Sequence, residues 1–406
     1  MIKRGILKHL DYLSGKYPVI TITGPRQSGK TTLARDFFKD HDYVNLENLR
    51  ERNFAQSDPE QFLSRYSKGV IIDEIQYVPE LTSYIQVIVD ERKKDSMFVI
   101  TGSRNFSLIK SVSQSLSGRT SILELLPFSY DEISESKYVK LFSGRASKAQ
   151  IKLKKEKIQI DKLLYTGFFP KIYDKEINPT IYYGNYVKTY IERDLRDIKQ
   201  IKDLNSFRKF ISLCASRVGQ ILNLSNISSD LGISSVTLKE WVSILEASYM
   251  IFLLKPYYEN INKQLIKSPK LYFTDVGLVA YLLDISTPKQ LEDHPLRGNI
   301  FENLIVIEML KHRLNAGRSI NLNFLRDKYK EVDLVYKHGN KLNLFEIKSA
   351  ETITSEFFSG LGYFKNLFKK QISGQGVIYA GTETYEMNKV KILNLQTINN
   401  FLEGLE

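Results

Sequence analysis

Disulfide chemistry is closed to this chain: among 406 residues there is one cysteine, Cys214. No internal bridge can form, and a reducing compartment is the consistent expectation. Long apolar runs are missing too. The longest, Tyr249-Met250-Ile251-Phe252-Leu253-Leu254, falls far short of the ~20 residues that span a bilayer. The first eight residues, Met1-Ile2-Lys3-Arg4-Gly5-Ile6-Leu7-Lys8, are charged and lack the apolar centre of a secretory signal. These shortages exclude a disulfide scaffold and a helical membrane anchor, and the expectation is a cytoplasmic protein without membrane contact.

What is present is ordinary core material. Hydrophobic residues make up 42% of a chain longer than one core usually supports, so two to four domains are expected. The net charge of +12 points to an anionic partner. Its excess is greatest in 146–205, through Lys148, Lys152, Lys154, Lys155 and Lys157. Such a run suits a nucleic-acid backbone, and equally a solvated helix or linker.

The organising stretch is Gly24-Pro25-Arg26-Gln27-Ser28-Gly29-Lys30-Thr31, which fits the phosphate-loop pattern G-x-x-x-x-G-K-[ST] at every fixed position. An apolar run, Tyr17–Thr23, precedes it as a strand, and Thr32–Phe38 follows as a helix. The glycines let the backbone close on a triphosphate, and successive N–H groups with the positive end of the helix meet its charge. Lys30 is expected on the β- and γ-phosphates, and the Thr31 hydroxyl on Mg²⁺. Thr32 belongs to the same nucleotide-binding set. Gly69–Glu74 reads as a strand ending in two carboxylates: Asp73 for the Mg²⁺ shell, Glu74 to polarise the attacking water. Ser103 and Asn105, after the strand Met97–Thr101, are candidate γ-phosphate sensors or a plain turn. Arg119, before the strand Thr120–Leu125, is a candidate phosphate contact, arginine finger or surface ion pair.

Gly24–Thr31, Ile71–Glu74, Ile100–Ser103 and Ser115–Arg119 resemble the ATPases of the AAA superfamily widespread in archaea and bacteria. In that family a poorly characterised C-terminal region follows the ATPase. Tyr165–Pro170, Tyr190–Leu195 and Lys270–Leu278 are similar to its signatures, with Thr166 standing where a further glycine belongs. The resemblance implies ATP and Mg²⁺ as cofactors, and it covers nearly the whole chain.

Residues 146–205 read as a helical lid broken at Gly167 and Pro170, with Arg193 a candidate to reach the phosphates or a member of an ion-pair network. From 206 to 290 a winged helix-turn-helix is expected. Its helices are a face of Phe207, Phe210, Ile211, Leu213 and Cys214; a capped helix Leu224–Leu231; and a longer one capped by Ser234 or Ser235. The inward face of the last is expected at Val236, Leu238, Trp241, Ile244 and Leu245. Tyr249–Leu254 and Lys270–Thr274 supply the wing. The outward set Ser235, Thr237, Lys239, Glu240 and Ser243 is a poor base-reading surface, so any DNA contact is expected to be backbone-led.

Residues 291–406 carry a dispersed set: Glu302 on a helix, Asp333 on one strand, Glu346 and Lys348 on the next. Period two puts Glu346 and Lys348 on one strand face. The set resembles the restriction-endonuclease-like fold with its D…(D/E)-x-K motif. Glu302, Asp333 and Glu346 are expected as metal ligands and Lys348 as catalytic. The alternative is an inactive relic. The fold class expected is thus α/β: a P-loop domain over 1–145, a lid over 146–205, a winged helix over 206–290 and a nuclease-like domain over 291–406. The functional expectation is Mg²⁺-dependent ATP hydrolysis acting on DNA in defence, repair or mobile-element control. The rival is a nucleotide-controlled switch working through protein partners; homo-oligomerisation stays open in both.

Overall fold

The computed structural model describes residues 2–92, 94–103, 114–136, 159–189, 201, 203–257 and 268–405. The expectations placed on Asn105, the Lys148–Lys157 run, Tyr190–Leu195 and Arg193 lie outside these residues.

Five strands form the first sheet: β1 (Val19–Thr23), β2 (Asp42–Asn45), β3 (Val70–Asp73), β4 (Phe98–Gly102) and β5 (Thr120–Glu124), in the order β2-β3-β4-β1-β5 and all parallel. β1, β3 and β4 are buried along their whole length, as parallel strands covered on both faces must be. Side chains alternate between the faces. Ile20 and Ile22 pack with Leu10, Leu33 and Val99 on one side, and Val19 with Ile72, Phe98 and Ile85 on the other. Because every strand runs the same way, their carboxyl ends share one rim. The phosphate loop, Asp73 and Ser103 follow β1, β3 and β4 onto it.

The helices Ile160–Thr166, Pro170–Lys175 and Pro179–Tyr186 pack into the apolar cluster that also holds Leu126 and Phe128. The first ends at Gly167, whose φ of +66° suits glycine. Then come Leu204–Ala215, Leu224–Leu231 and Ser235–Ala247, capped by the side chains of Asp203, Asn223 and Ser234. An antiparallel pair follows, β6 (Ile251–Leu254) with β7 (Lys270–Phe273). Leu238, Trp241, Ile244 and Leu245 are buried as expected, but Val236 is 67% exposed. At 100° per residue it points well away from the stripe that Val242 completes.

The long helix Arg297–Asn315 leads into a six-stranded mixed sheet. Its strands are β8 (Leu322–Arg326), β9 (Glu331–His338), β10 (Lys341–Lys348), β11 (Ile372–Tyr379), β12 (Tyr385–Met387) and β13 (Val390–Leu393), ordered β12-β13-β11-β10-β9-β8. A single apolar cluster runs from Leu126 through Trp241 and Phe273 to Leu402, so the three segments after the first sheet share one core. The long helix is buried nearly all round at its centre, because that core wraps it.

Candidate functional site

The loop between β1 and the helix Lys30–Phe37 is shaped by three residues with positive φ: Gly24, Gln27 and Gly29. At Gly24 a Cβ would fall 2.2 Å from the Leu125 carbonyl oxygen, so no other residue fits. The resulting concavity of N–H groups is an anion cradle at a helix start. Lys30 donates from Nζ to the carbonyl oxygens of Gly24 (3.1 Å) and Pro25 (2.8 Å). Burial pulls its ammonium down to about 8 against the opposing pull of Glu74 and Asp73. Ser28 is buried, and its Oγ has no partner among the described residues. Arg26 pairs with Glu47 at 3.2 Å near the surface, and Thr32 is exposed.

Asp73, at the end of β3, gathers hydroxyls. Thr31 donates to both its oxygens (3.1 and 3.0 Å), Tyr43 to Oδ2 (2.8 Å), and Thr101 to Oδ1. An oxygen-only set of this kind, with Thr31 on the loop helix, fits a hard cation such as Mg²⁺. Glu74 takes φ +58°, a strained value for glutamate that turns its side chain onto the rim. Its Oε2 accepts from Gln76 Nε2 and, at 3.3 Å, from Ser103 Oγ. The structure thus gathers Lys30, Thr31, Asp73, Glu74 and Ser103 at one rim. It does not bring Arg119 there. Arg119 precedes β5 at the opposite end of the sheet and forks onto Asp90 at 2.6 and 2.8 Å.

Several residues that hold the loop carry no local signal. Arg4 is buried, and donates to the Ser28 carbonyl (2.8 Å) and the Leu126 carbonyl (2.6 Å) while pairing with Glu132 at 3.2 Å. Glu132 also accepts from Gly5 N (2.6 Å) and Ser129 N (2.9 Å). Behind it, on the long helix, Lys311 donates to the Phe128 carbonyl (2.7 Å) and Glu308 accepts from Tyr130 N (2.7 Å). Two tyrosines reach in from the middle of the chain. Tyr182 donates to Gln27 Oε1 at 2.9 Å, and the Tyr249 hydroxyl bonds the Thr23 hydroxyl at 2.9 Å.

In the C-terminal part Glu302, Asp333, Glu346 and Lys348 do converge. Lys348 lies 2.6 Å from Glu346 and 3.5 Å from Asp333, whose Oδ2 also accepts from Ile347 N at 2.8 Å. But the centre holds a fifth member, Lys270 of β7. Its Nζ contacts Glu302 (2.9 Å), Glu331 and Asp333 (3.8 Å). Tyr272 adds a hydroxyl to Glu302 at 2.6 Å. Burial pushes the Glu302 carboxyl up to about 7 and, with Asp333 beside it, that of Glu346 up to about 8. Among the described residues no group of three or more His, Cys, Asp or Glu side chains is arranged to hold a metal. Of the three carboxylates expected as metal ligands, Glu302 and Asp333 thus face the Lys270 ammonium, and Glu346 faces Lys348.

Comparison with known proteins gives the class. Residues 16–134 match the family model of an AAA domain. With the phosphate loop and the parallel sheet, they form a P-loop NTPase-like α/β fold. Residues 157–289 and 297–398 each match a domain of unknown function (DUF8612 and DUF4143). An uncharacterized protein of Mycobacterium tuberculosis is 27% identical over 338 residues, 82% of this chain and 71% of that protein. One of Haemophilus influenzae is 25% identical over 386 residues, 89% and 90% of the two. Among solved structures, the Walker-type ATPase of Pyrococcus abyssi aligns with a TM-score of 0.44 at 13% identity, over 70% of this chain and 96% of that one. No helix among the described residues is long and apolar enough to cross a membrane.

Proposed function

We propose that this chain binds and hydrolyses ATP with Mg²⁺, and that the nucleotide state is passed to the helical region that follows. The observation that carries the reading is the rim itself: a glycine-shaped cradle, Lys30, and Thr31 hydrogen-bonded to Asp73 beside Glu74. Thr31 and Asp73 would hold the Mg²⁺, which neutralises charge on the phosphates when bound. Lys30 exchanges its two carbonyl partners for phosphate oxygens. Glu74 orients water and takes its proton, and Gln76 and Ser103 set the carboxylate's position. Tyr182 and Tyr249 supply the route out, because one touches the loop and the other the strand end that feeds it.

For the output we read residues 206–290 as a winged helix that contacts the DNA backbone, in keeping with the net charge of +12. A second reading, a protein partner, is favoured by the exposed Val236 next to Glu240 on the outward helix face. Residues 291–406 we read as a restriction-endonuclease-like fold without its metal chemistry. The test is ATP turnover with and without duplex DNA. Lys30→Ala should lose nucleotide binding, and Glu74→Gln should bind ATP but turn it over slowly. Wild-type turnover in both would overturn the reading. Stimulation by DNA that fades with salt supports the first output; no DNA effect at low salt supports the second.

A further inference from the structure

We propose that Lys270 is the resident cation of the C-terminal carboxylate cluster, so that this centre takes up no divalent metal and instead locks β7 to the long helix and the C-terminal sheet. The inference is independent of the ATP reading, since no residue of the phosphate rim takes part.

Lys270 opens β7, paired with Leu254 of β6 and bridged to Ile221, so its backbone is held on both sides. The side chain lies over the Phe324 ring, 5.6 Å from its centre, and is 2% exposed. Its ammonium meets carboxylates from two separate elements: Glu302 from the helix Arg297–Asn315, and Glu331 and Asp333 from β9. Two residues along the same strand face, Tyr272 fixes the oxygen of Glu302 that Lys270 uses. Arg326 takes the other oxygen of Glu331 at 3.0 Å.

A magnesium or manganese ion needs oxygens at about 2.0–2.2 Å. Lys270 Nζ already lies 2.9 Å from Glu302 Oε1 and 3.8 Å from Asp333 Oδ1, so a metal shared by these two oxygens would sit close to the ammonium and be repelled by it. Nor can Lys270 withdraw to water, since its strand, ring contact and burial confine it. Admitting a metal would strand an ammonium in a dry site, which is costly. The cluster already holds its own counter-charges: Glu302, Glu331, Asp333 and Glu346 stand against Lys270, Lys348 and Arg326.

The experiment is manganese binding to the full-length chain without nucleotide, followed by the electron spin resonance signal of free Mn²⁺. Wild type should retain no Mn²⁺ that depends on Asp333. Lys270→Met should gain one Mn²⁺ site, lost again on adding Asp333→Asn, and its melting temperature should rise with Mn²⁺. One Mn²⁺ bound by wild type and lost in Asp333→Asn would overturn the proposal. So would a folded Lys270→Met protein that gains no site. If Lys270→Met does not fold, wild type against Asp333→Asn still decides.

Discussion

Lys30 and Lys270 are both buried near acids, and they are in opposite situations. Lys30 spends its hydrogen bonds on two carbonyl oxygens of a glycine loop, and its ammonium is held down to about 8. Lys270 is gripped by three carboxylates, which raise its pKa against the cost of burial. Carbonyl oxygens are neutral acceptors that a phosphate can replace; carboxylates in a buried cluster are not readily given up. A poorly paired buried lysine is a binding group in waiting, whereas a fully paired one is part of the framework.

The sharpest way to break this comparison is at the rim. Glu74→Gln is expected to lower kcat by about 10²–10⁴, with ATP still bound, because the water loses its base. Steady-state turnover beside nucleotide binding checks this. Next come the two lysines themselves. Lys270→Met should destabilise the fold by roughly 3–5 kcal/mol, since it leaves carboxylates buried without their cation. Lys30→Met should be neutral or stabilising, because it removes a charge that burial disfavours. Denaturant unfolding of both variants tests the contrast, and equal losses would erase it.

The Lys30 effect also has a pH signature. Its folded pKa, about 8, lies below the unfolded value, so the penalty is complete below pH 8 and vanishes as pH rises to about 10.5. The stability advantage of Lys30→Met should shrink across that window. Tyr249→Phe, which removes the hydroxyl bonded to Thr23, should cost about 0.5–1.5 kcal/mol and shift the melting temperature slightly. Smallest of all, native Cys214 should resist thiol reagents at neutral pH, since burial pushes its thiol up to about 12. Labelling should appear only on unfolding.

The legible parts of the site were those written in consecutive residues. Gly24 to Thr31 is a local pattern, and a strand running into Asp73 and Glu74 is another; both elements form where the apolar runs put them. The convergence of Asp333, Glu346 and Lys348 was legible for a related reason. Neighbouring antiparallel strands with period two leave few ways to place them. Arg119 was open between a phosphate contact, an arginine finger and a surface ion pair, and only the fold shows it paired with Asp90 at the end of the sheet away from the phosphate loop. Val236 went astray by helical phase, where one residue's rotation turns an inward side chain outward.

Arg4 and Lys270 had no such signal. Arg4 lies far along the chain from Leu126 and Glu132, and no periodicity announces that a lone arginine will be buried against a loop carbonyl. Lys270 reads as the first residue of a wing strand, and only the docking of β7 against the long helix and β9 surrounds it with acids. The sequence by itself determined the phosphate loop, because backbone conformation there depends on glycines and their immediate neighbours. Whether a lysine is free to meet a ligand or is already paired depends on which distant carboxylates come within 4 Å. Only the tertiary structure could decide that, since Coulomb attraction acts through space and is strongest where packing has excluded water.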